Sequence, residues 1–244
     1  MSRSGLAFCF AGLLLAAGGC KRARPAVDTF GEGVAAADRE WARRAEAGGL
    51  DAAERAYTAL LAERPTAGAV LWRLSRVAWS RVMMEPARAA FWHEVGRELA
   101  LRCVAATPEV AEGILVVGDR LTPPVVVTGA PAPCRAYAAA HIVGLVRARG
   151  PGAALDLEEV GPLLAELPSE VEPAVRGWAA GQYHVLRDEE PSAAREALTS
   201  AAAASPGVGF YRAEAVRAFP DLDATLPGTV NDARWALENA ALHR

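Results

Sequence analysis

The sequence is poor in lysine and cysteine and lacks a long apolar run, and each shortage excludes a class of protein. Lysine occurs once, at Lys21, and the 244-residue chain has a net charge of −3, which excludes the basic field that nucleic-acid binding needs. Four cysteines are too few for a disulfide scaffold in a chain of this length. No apolar run reaches the ~20 residues that span a bilayer. What remains is a chain that is 52% hydrophobic and long enough for one or two domains with a real core.

Patterns typical of catalysis and metal binding are also missing. There is no G-x-S-x-G elbow, no phosphate-binding glycine loop and no H-E-x-x-H pair. Among the histidines, His93 and His184 are predicted on polar helix faces, whereas His141 lies in an apolar face as either a core residue or a ligand contact. No pair of histidines or cysteines has metal-ligand spacing. We therefore expect a protein that is not an enzyme and that needs neither a cofactor nor a metal.

The N-terminus has the pattern of an export signal. After Arg3, Leu6 to Ala17 is an apolar run of about a dozen residues, and the segment ends in LAAGGC with Cys20 last. It resembles a bacterial lipoprotein signal, in which the cysteine becomes the diacylated N-terminus; an ordinary secretory signal is the alternative. We expect residues 1–19 to be removed and residues 20–32 to form the lipidated cysteine and a tether. By analogy with lipoprotein sorting in Gram-negative bacteria, Lys21 rather than Asp after the cysteine implies the outer membrane, with the protein facing the periplasm.

Residues 38–65 have the pattern of two amphipathic helices around a turn at Gly48-Gly49. Their apolar residues recur three or four positions apart, at Val34, Ala37, Trp41 and Ala45 in the first helix and at Ala53, Ala56, Tyr57, Leu60 and Leu61 in the second. Asp51 is the predicted N-cap of the second helix. The spacing of Ala53, Tyr57 and Pro65 matches the second half of the tetratricopeptide pattern, A-x3-F…P, so a helical hairpin that is part of a repeat array is predicted.

The rest of the chain continues in helices that proline and glycine separate. The predicted segments are Thr66–Met84, Pro86–Ala106, Pro133–Arg149, Leu155–Leu167, a helix capped by Ser169 that runs to Arg187, Pro191–Ala204, Val208–Phe219 and Asn231–His243. Residues 109–132 break the pattern: Glu109 to Leu121 is either helical or partly strand-like, and TPPVVVTGAP is a loop. The fold class predicted is all-α, with nine or ten helices in tetratricopeptide-like antiparallel pairs forming a single domain over residues 33–244.

The helix that follows the hairpin is apolar on two sides. Val70, Leu71, Leu74, Val77, Ala78 and Val82 form one face, and Trp72, Trp79 and Met83 form a second stripe. Such a helix is either buried between neighbours or lines a ligand groove. The next helix is expected to turn Phe91, Trp92, Val95, Leu99, Cys103 and Ala106 inward. The residues predicted for a groove are Trp72, Arg76, Trp79, Trp92, Tyr137 and His141.

Cys103 and Cys134 both fall on predicted inner faces. A disulfide is possible chemistry in an oxidising periplasm, but two buried free thiols are the expectation.

The helix order resembles one family along nearly the whole mature chain. After the lipobox and the hairpin come AFWHEVGRELALRCVAATP, APAPCRAYAAAHIVGLVRA and LPGTVNDARWALENA. These segments are similar to those of the tetratricopeptide-repeat lipoprotein, or T component, associated with tripartite ATP-independent periplasmic (TRAP) transporters. The resemblance implies a non-catalytic binding or adaptor protein that works with a periplasmic solute-binding protein of such a transporter. It also implies a small apolar or organic-acid ligand and membrane attachment through the lipid.

Two readings of function therefore stand beside each other at this point. The hairpin alone, without the family-like order, is equally typical of a general scaffold lipoprotein in outer-membrane or envelope assembly. The sequence leaves a homo-oligomer open in either case.

Overall fold

The computed structural model describes residues 29–106, 116–117, 120–121, 131–150, 156–165 and 167–226. The predicted signal, Cys20, the loop over 122–130 and the predicted helix Asn231–His243 lie outside these ranges. The first helix begins at Thr29, and its Phe30 is buried. The predicted tether, residues 20–32, is therefore wrong at its end, because the ring of Phe30 joins the core of the first hairpin.

The prediction of an all-α helical array is confirmed. Within the described ranges there are nine α-helices: α1 (Thr29–Ala42), α2 (Gly49–Glu63), α3 (Gly68–Met84), α4 (Ala89–Ala105), α5 (Ala132–Arg149), α6 (Val160–Leu164), α7 (Pro173–Arg187), α8 (Pro191–Ala204) and α9 (Gly209–Ala218). Two 3-10 turns, Pro86–Arg88 and Pro220–Ala224, extend the corners before α4 and after α9. In the segment where helix and strand were both open, β1 (Val116–Val117) pairs antiparallel with β2 (Arg120–Leu121).

Three helix starts differ from the sequence prediction. Gly48, with φ at +74°, precedes α2, so Asp51 lies in the first turn and pairs with Arg81 instead of capping the helix. α7 begins at Pro173 rather than near Ser169, because proline is well suited to the first position of a helix. The predicted helix Leu155–Leu167 is reduced to α6, which a 3-10 turn over 156–159 precedes.

The helix α5 is the centre of the molecule. Every residue from Cys134 to Val146 is buried, and the helix contacts α3, α4, α6 and α7. A helix that is buried on all sides can lie only in an interior, where other helices surround it. The first hairpin packs on α3 through a second apolar cluster that contains Ala53 and Tyr57, the tetratricopeptide-like pair. The second pair, α3 and α4, is longer than the first, as the proline spacing predicts.

The buried face of α4 is rotated from the one predicted. Its buried residues are His93, Gly96, Arg97, Ala100, Leu101, Cys103 and Val104. The aromatic ring of Phe91 is 47% exposed, and Trp92 is only partly buried. The prediction that His93 is a surface residue is also wrong. The reason is a polar contact that periodicity cannot anticipate: His93 faces His141 across the crossing of α4 and α5.

Cys103 and Cys134 form a disulfide, with their Cα atoms 5.7 Å apart. The expectation of two free thiols is therefore wrong. The bond joins the end of α4 to the start of α5 inside the main core, where both cysteines are fully buried.

Candidate functional site

A cleft of about 720 Å³ lies between the first hairpin and the C-terminal helices. One side is formed by the end of α1, the segment that follows it and the middle of α3. The other side is formed by the first turn of α7, the end of α8, the connection to α9 and the first residues of α9. The wall is mostly apolar, and its larger side chains are Trp41, Arg44, Arg76, Trp79, Met83, Tyr137, Glu172, Phe210 and Tyr211. A concave, mostly apolar site with a few polar groups is typical of small-molecule binding.

Half of the predicted groove residues line this cleft. Arg76, Trp79 and Tyr137 do so, because α3 and α5 both pass its floor.

The other three predicted residues lie elsewhere. The ring of Trp72 is only partly buried and lies 4.3 Å from the guanidinium carbon of Arg73. Nε1 of Trp92 donates to Oε2 of Glu85 at 3.0 Å, at the corner between α3 and α4. His141 is fully buried in the core and does not line the cleft.

Trp79 belongs more to the core than to the cleft surface. Only 2% of it is exposed, and Nε1 donates to the hydroxyl of Tyr211 at 2.9 Å. Its ring centre lies 4.8 Å from that of Trp178 and 5.9 Å from that of Phe210, both in edge-on packing. This burial favours the interpretation of α3 as an interior helix, with Trp79 in its packed core.

A guanidinium stands at the α1–α3 side of the cleft. The guanidinium carbon of Arg76 lies 4.1 Å from the ring centre of Trp41, which is a cation–π distance. Nη2 of Arg76 is 3.4 Å from the hydroxyl of Tyr57 and 3.8 Å from Oδ1 of Asp38. Its Nε is buried without a hydrogen-bond partner. The side chain is thus held in place by aromatic packing, with part of its hydrogen-bonding capacity unused.

Asp38 does not neutralise Arg76 fully. Arg73 binds both of its oxygens, Nε to Oδ1 at 2.8 Å and Nη2 to Oδ2 at 2.9 Å, and the hydroxyl of Tyr57 donates to Oδ1 at 2.5 Å. Burial and the hydrogen bond to Asp38 raise the pKa of Tyr57 to about 12, so this hydroxyl stays protonated and remains a donor. Both oxygens of Asp38 therefore already accept hydrogen bonds from Arg73 and Tyr57.

The carboxylate of Glu172 lines the other side of the cleft, at the start of α7. The hydroxyl of Tyr137 donates to Oε2 of Glu172 at 2.9 Å. Burial, and then the negative charge of Glu172, raise the pKa of Tyr137 well above its usual value. This phenol is therefore a neutral donor and cannot act as an acid or base near neutral pH.

Sequence reasoning missed Arg44, Glu172, Phe210 and Tyr211. Arg44 and Glu172 lie outside the helices, where no periodicity assigns a face. Phe210 and Tyr211 reach the cleft only because α9 folds back beside α3. Trp41 offered the one usable hint, since it belongs to the predicted apolar face of the first helix.

No family model, curated protein or solved structure matches this chain. In the part of the chain that the structure describes, no helix has the length and apolar character that crossing a membrane requires. Among those same residues, no three His, Cys, Asp or Glu side chains are grouped as a metal site would need.

Proposed function

We propose that this protein is an exported, lipid-anchored helical-repeat protein that binds a small ligand and serves as a non-catalytic adaptor for a TRAP-type transporter. The observation that carries the ligand-binding part is the cleft, with its apolar wall and its few polar groups. The transporter part and the location rest on the lipobox at Cys20 and on the family-like order of segments.

Two features support an exported location and an adaptor role. The disulfide between Cys103 and Cys134 fits an oxidising compartment such as the periplasm, since disulfides rarely persist in a reducing cytosol. The first hairpin buries Ala53 and Tyr57 as tetratricopeptide-like helix pairs do, and repeats of this type commonly bind partner proteins on their extended surfaces.

Ligand binding in the cleft can be tested with N-phenylnaphthylamine, a neutral dye that fluoresces in apolar sites. We expect the protein to bind it and Ala42→Trp, at the cleft wall, to reduce that binding. The matched control is Ala36→Trp, at an exposed alanine of α1 outside the cleft lining, which should leave binding unchanged. Equal binding by both variants would contradict a ligand site in the cleft.

The adaptor role can be tested by affinity purification from envelope extracts with the lipidated protein and with Cys20→Ser. We expect a periplasmic solute-binding protein to co-purify and its transporter genes to neighbour this one. A pulldown dominated by outer-membrane assembly proteins would instead favour the envelope-scaffold function. Retention of Cys20→Ser in the membrane fraction would contradict lipid anchoring.

A further inference from the structure

The structure holds Leu226 close to the turn of α9 that lines the cleft. Arg212 follows Tyr211 on α9, and its Nη1 donates to the backbone carbonyl oxygen of Leu226. Leu226 is buried and belongs to the same apolar cluster as Tyr211. Because Phe210 and Tyr211 line the cleft, residues 227–244 continue from a fixed point that lies within the reach of one arginine side chain from it.

The cleft next to this point has apolar surface to cover. Met83, Val208 and Phe210 are only partly buried against the main apolar cluster, and all three line the cleft. Its volume of about 720 Å³ is in the range that holds a drug-sized molecule, so it has room for large side chains. An occupant that covers these residues gains free energy by removing apolar surface from water.

Residues 227–244 can reach this wall. The dipeptide Pro227-Gly228 is typical of a turn, so it can reverse the chain toward the start of α9. The linker from Pro227 to Val230 can span up to ~13 Å before the predicted helix Asn231–His243 begins. That reach is enough to bring the predicted helix from Leu226 to the cleft.

The predicted helix carries side chains that suit an apolar wall. Trp235 and Leu242 are seven positions apart, so they share one face of the helix. An indole on such a face offers a large, rigid apolar surface.

Charged residues of the segment complement those of the cleft. Arg234 and Glu238 are four positions apart, on the side of the predicted helix next to that of Trp235. The cleft has the carboxylate of Glu172 on its α7 side and the guanidinium of Arg44 on its α1 side. A segment with charges of one sign would be repelled by one of these sides, whereas each charge here meets an opposite charge within the cleft.

We propose that segment 227–244 folds back from Leu226 and occupies the cleft, with Trp235 against Met83 and Phe210. Docked there, it closes the site, so that docking of the segment and binding of a ligand exclude each other. The apparent affinity for a ligand is then reduced to the fraction of molecules whose cleft is open. This inference rests on the proposed function of the cleft as a ligand site and adds its regulation.

Photo-cross-linking of the whole chain tests where the segment lies. Trp235 is replaced by benzoylphenylalanine, which reacts with neighbouring C–H bonds on irradiation, and the cross-linked peptides are identified by mass spectrometry. We expect cross-links within one molecule to peptides that contain Met83 or Phe210. Ala42→Trp, at the cleft wall, should suppress them, and Ala36→Trp should not. Cross-links only to described residues outside the cleft lining, or only between two molecules, would overturn the proposal.

Dye binding tests the closure. We expect Trp235→Ser to bind N-phenylnaphthylamine about tenfold more tightly than the parent, which corresponds to a cleft that the segment occupies about nine-tenths of the time. Adding Ala42→Trp should remove this gain, because it acts at the cleft itself. Trp92→Ser is the matched control, since Trp92 lies at the corner between α3 and α4, outside the cleft lining, and it should leave the affinity unchanged.

The outcomes separate this proposal from the ligand-binding function. If the dye binds in the cleft but Trp235→Ser binds it no more tightly than the parent, closure by the segment is overturned and the ligand-binding function stands. The same holds if Trp92→Ser gains as much affinity as Trp235→Ser. If the dye binds neither the parent nor Trp235→Ser, the ligand-binding function fails, and the regulation that rests on it fails too.

Discussion

At the crossing of α4 and α5, the ring of His141 packs against Gly96 and the ring of His93 packs against Gly144. A Cβ added to Gly96 would lie 2.1 Å from Nε2 of His141, and one added to Gly144 would lie 2.1 Å from Cε1 of His93. The missing side chains therefore leave space for the rings, whose Nδ1 atoms are 3.2 Å apart. Nε2 of His141 lies 3.1 Å from the carbonyl oxygen of Ser75.

The carbonyl oxygen of Ser75 determines which ring nitrogens of His93 and His141 carry hydrogen. Because it can only accept, Nε2 of His141 is the donor, and Nδ1 of His141 accepts the hydrogen that Nδ1 of His93 carries. Burial lowers the pKa of His141 to about 4, with the hydrogen bond to Ser75 opposing it. Burial lowers the pKa of His93 well below its usual value, and so do the charge that His141 would carry if protonated and the charge of Arg147. Both rings are therefore neutral in the folded protein at pH 7.

We expect the protein to lose stability as the pH falls from about 6.5 to about 4. The unfolded chain binds protons at both histidines below pH ~6.5, whereas the folded chain does not, so acid favours unfolding. Between pH 7 and pH 5, each histidine should lower the free energy of unfolding by about 2 kcal/mol. Urea denaturation at a series of pH values measures this loss.

His93→Gln should reduce the pH dependence by about half, because one of the two protonation steps disappears. His184→Gln, at a partly exposed position outside the pair, should retain the slope. An unchanged slope in His93→Gln would show that the acid sensitivity has another origin.

Gly96→Ala should destabilise the protein by about 1–3 kcal/mol or more, because the new methyl group would overlap the ring of His141. Gly68→Ala is the matched control in the first turn of α3, where a Cβ would be 3.5 Å from Sγ of Cys103, an ordinary contact. Its free energy of unfolding should stay within about 0.5 kcal/mol of the parent. Equal thermal or urea midpoints for the two variants would contradict the tight fit.

At the scale of helices, periodicity and proline predicted most of the elements but not every buried face. Pro191–Ala204 matches α8, and the predicted buried face of α3 is buried. The face of α4 could not be found this way, since His93 and Arg97 are buried through polar partners that hydrophobic patterning scores as surface. The cleft residues on α3 and α5 could be predicted, because residues within a helix have a periodic face. Arg44 and Glu172 lie outside the helices, so periodicity could not assign them to the cleft.

The disulfide between α4 and α5 is the strongest local constraint on helix pairing. It closes a loop with a sequence separation of 31, for which the loss of chain entropy in the unfolded state corresponds to about 3–4 kcal/mol. The double variant Cys103→Ser/Cys134→Ser should lose about this much free energy of unfolding. Urea denaturation with and without reductant checks it.

Reductant should lower the stability of the parent protein and leave the double variant unaffected. A parent whose urea midpoint does not respond to reductant, under conditions where the thiols are shown to be free, would contradict the stabilising role of this bond.

At the scale of the whole molecule, the helices form one connected interior rather than a row of independent repeats. One apolar cluster extends from α3 to the turn after α9, and a second joins α1 and α2 to α3. Leu61 and Leu99 pack against both clusters. The hydrogen bond from Trp79 to Tyr211 joins α3 to α9, although the two residues are 132 positions apart in sequence. In an open solenoid each repeat contacts only its neighbours, so contacts of this range are not expected there.

This connectivity predicts a single cooperative unfolding transition. Leu50→Ala in α2 and Leu198→Ala in α8 remove buried side chains from the two different apolar clusters, and each should cost about 2–5 kcal/mol. In both variants, the urea midpoints from tryptophan fluorescence and from far-ultraviolet circular dichroism should coincide, because Trp41 reports on the first hairpin, Trp79 and Trp178 report on the centre, and dichroism reports on all helices. If either signal of Leu50→Ala instead shows two separate transitions, the first hairpin unfolds on its own. The packing of α1 and α2 on α3 would then be too weak to hold the α1 side of the cleft in place.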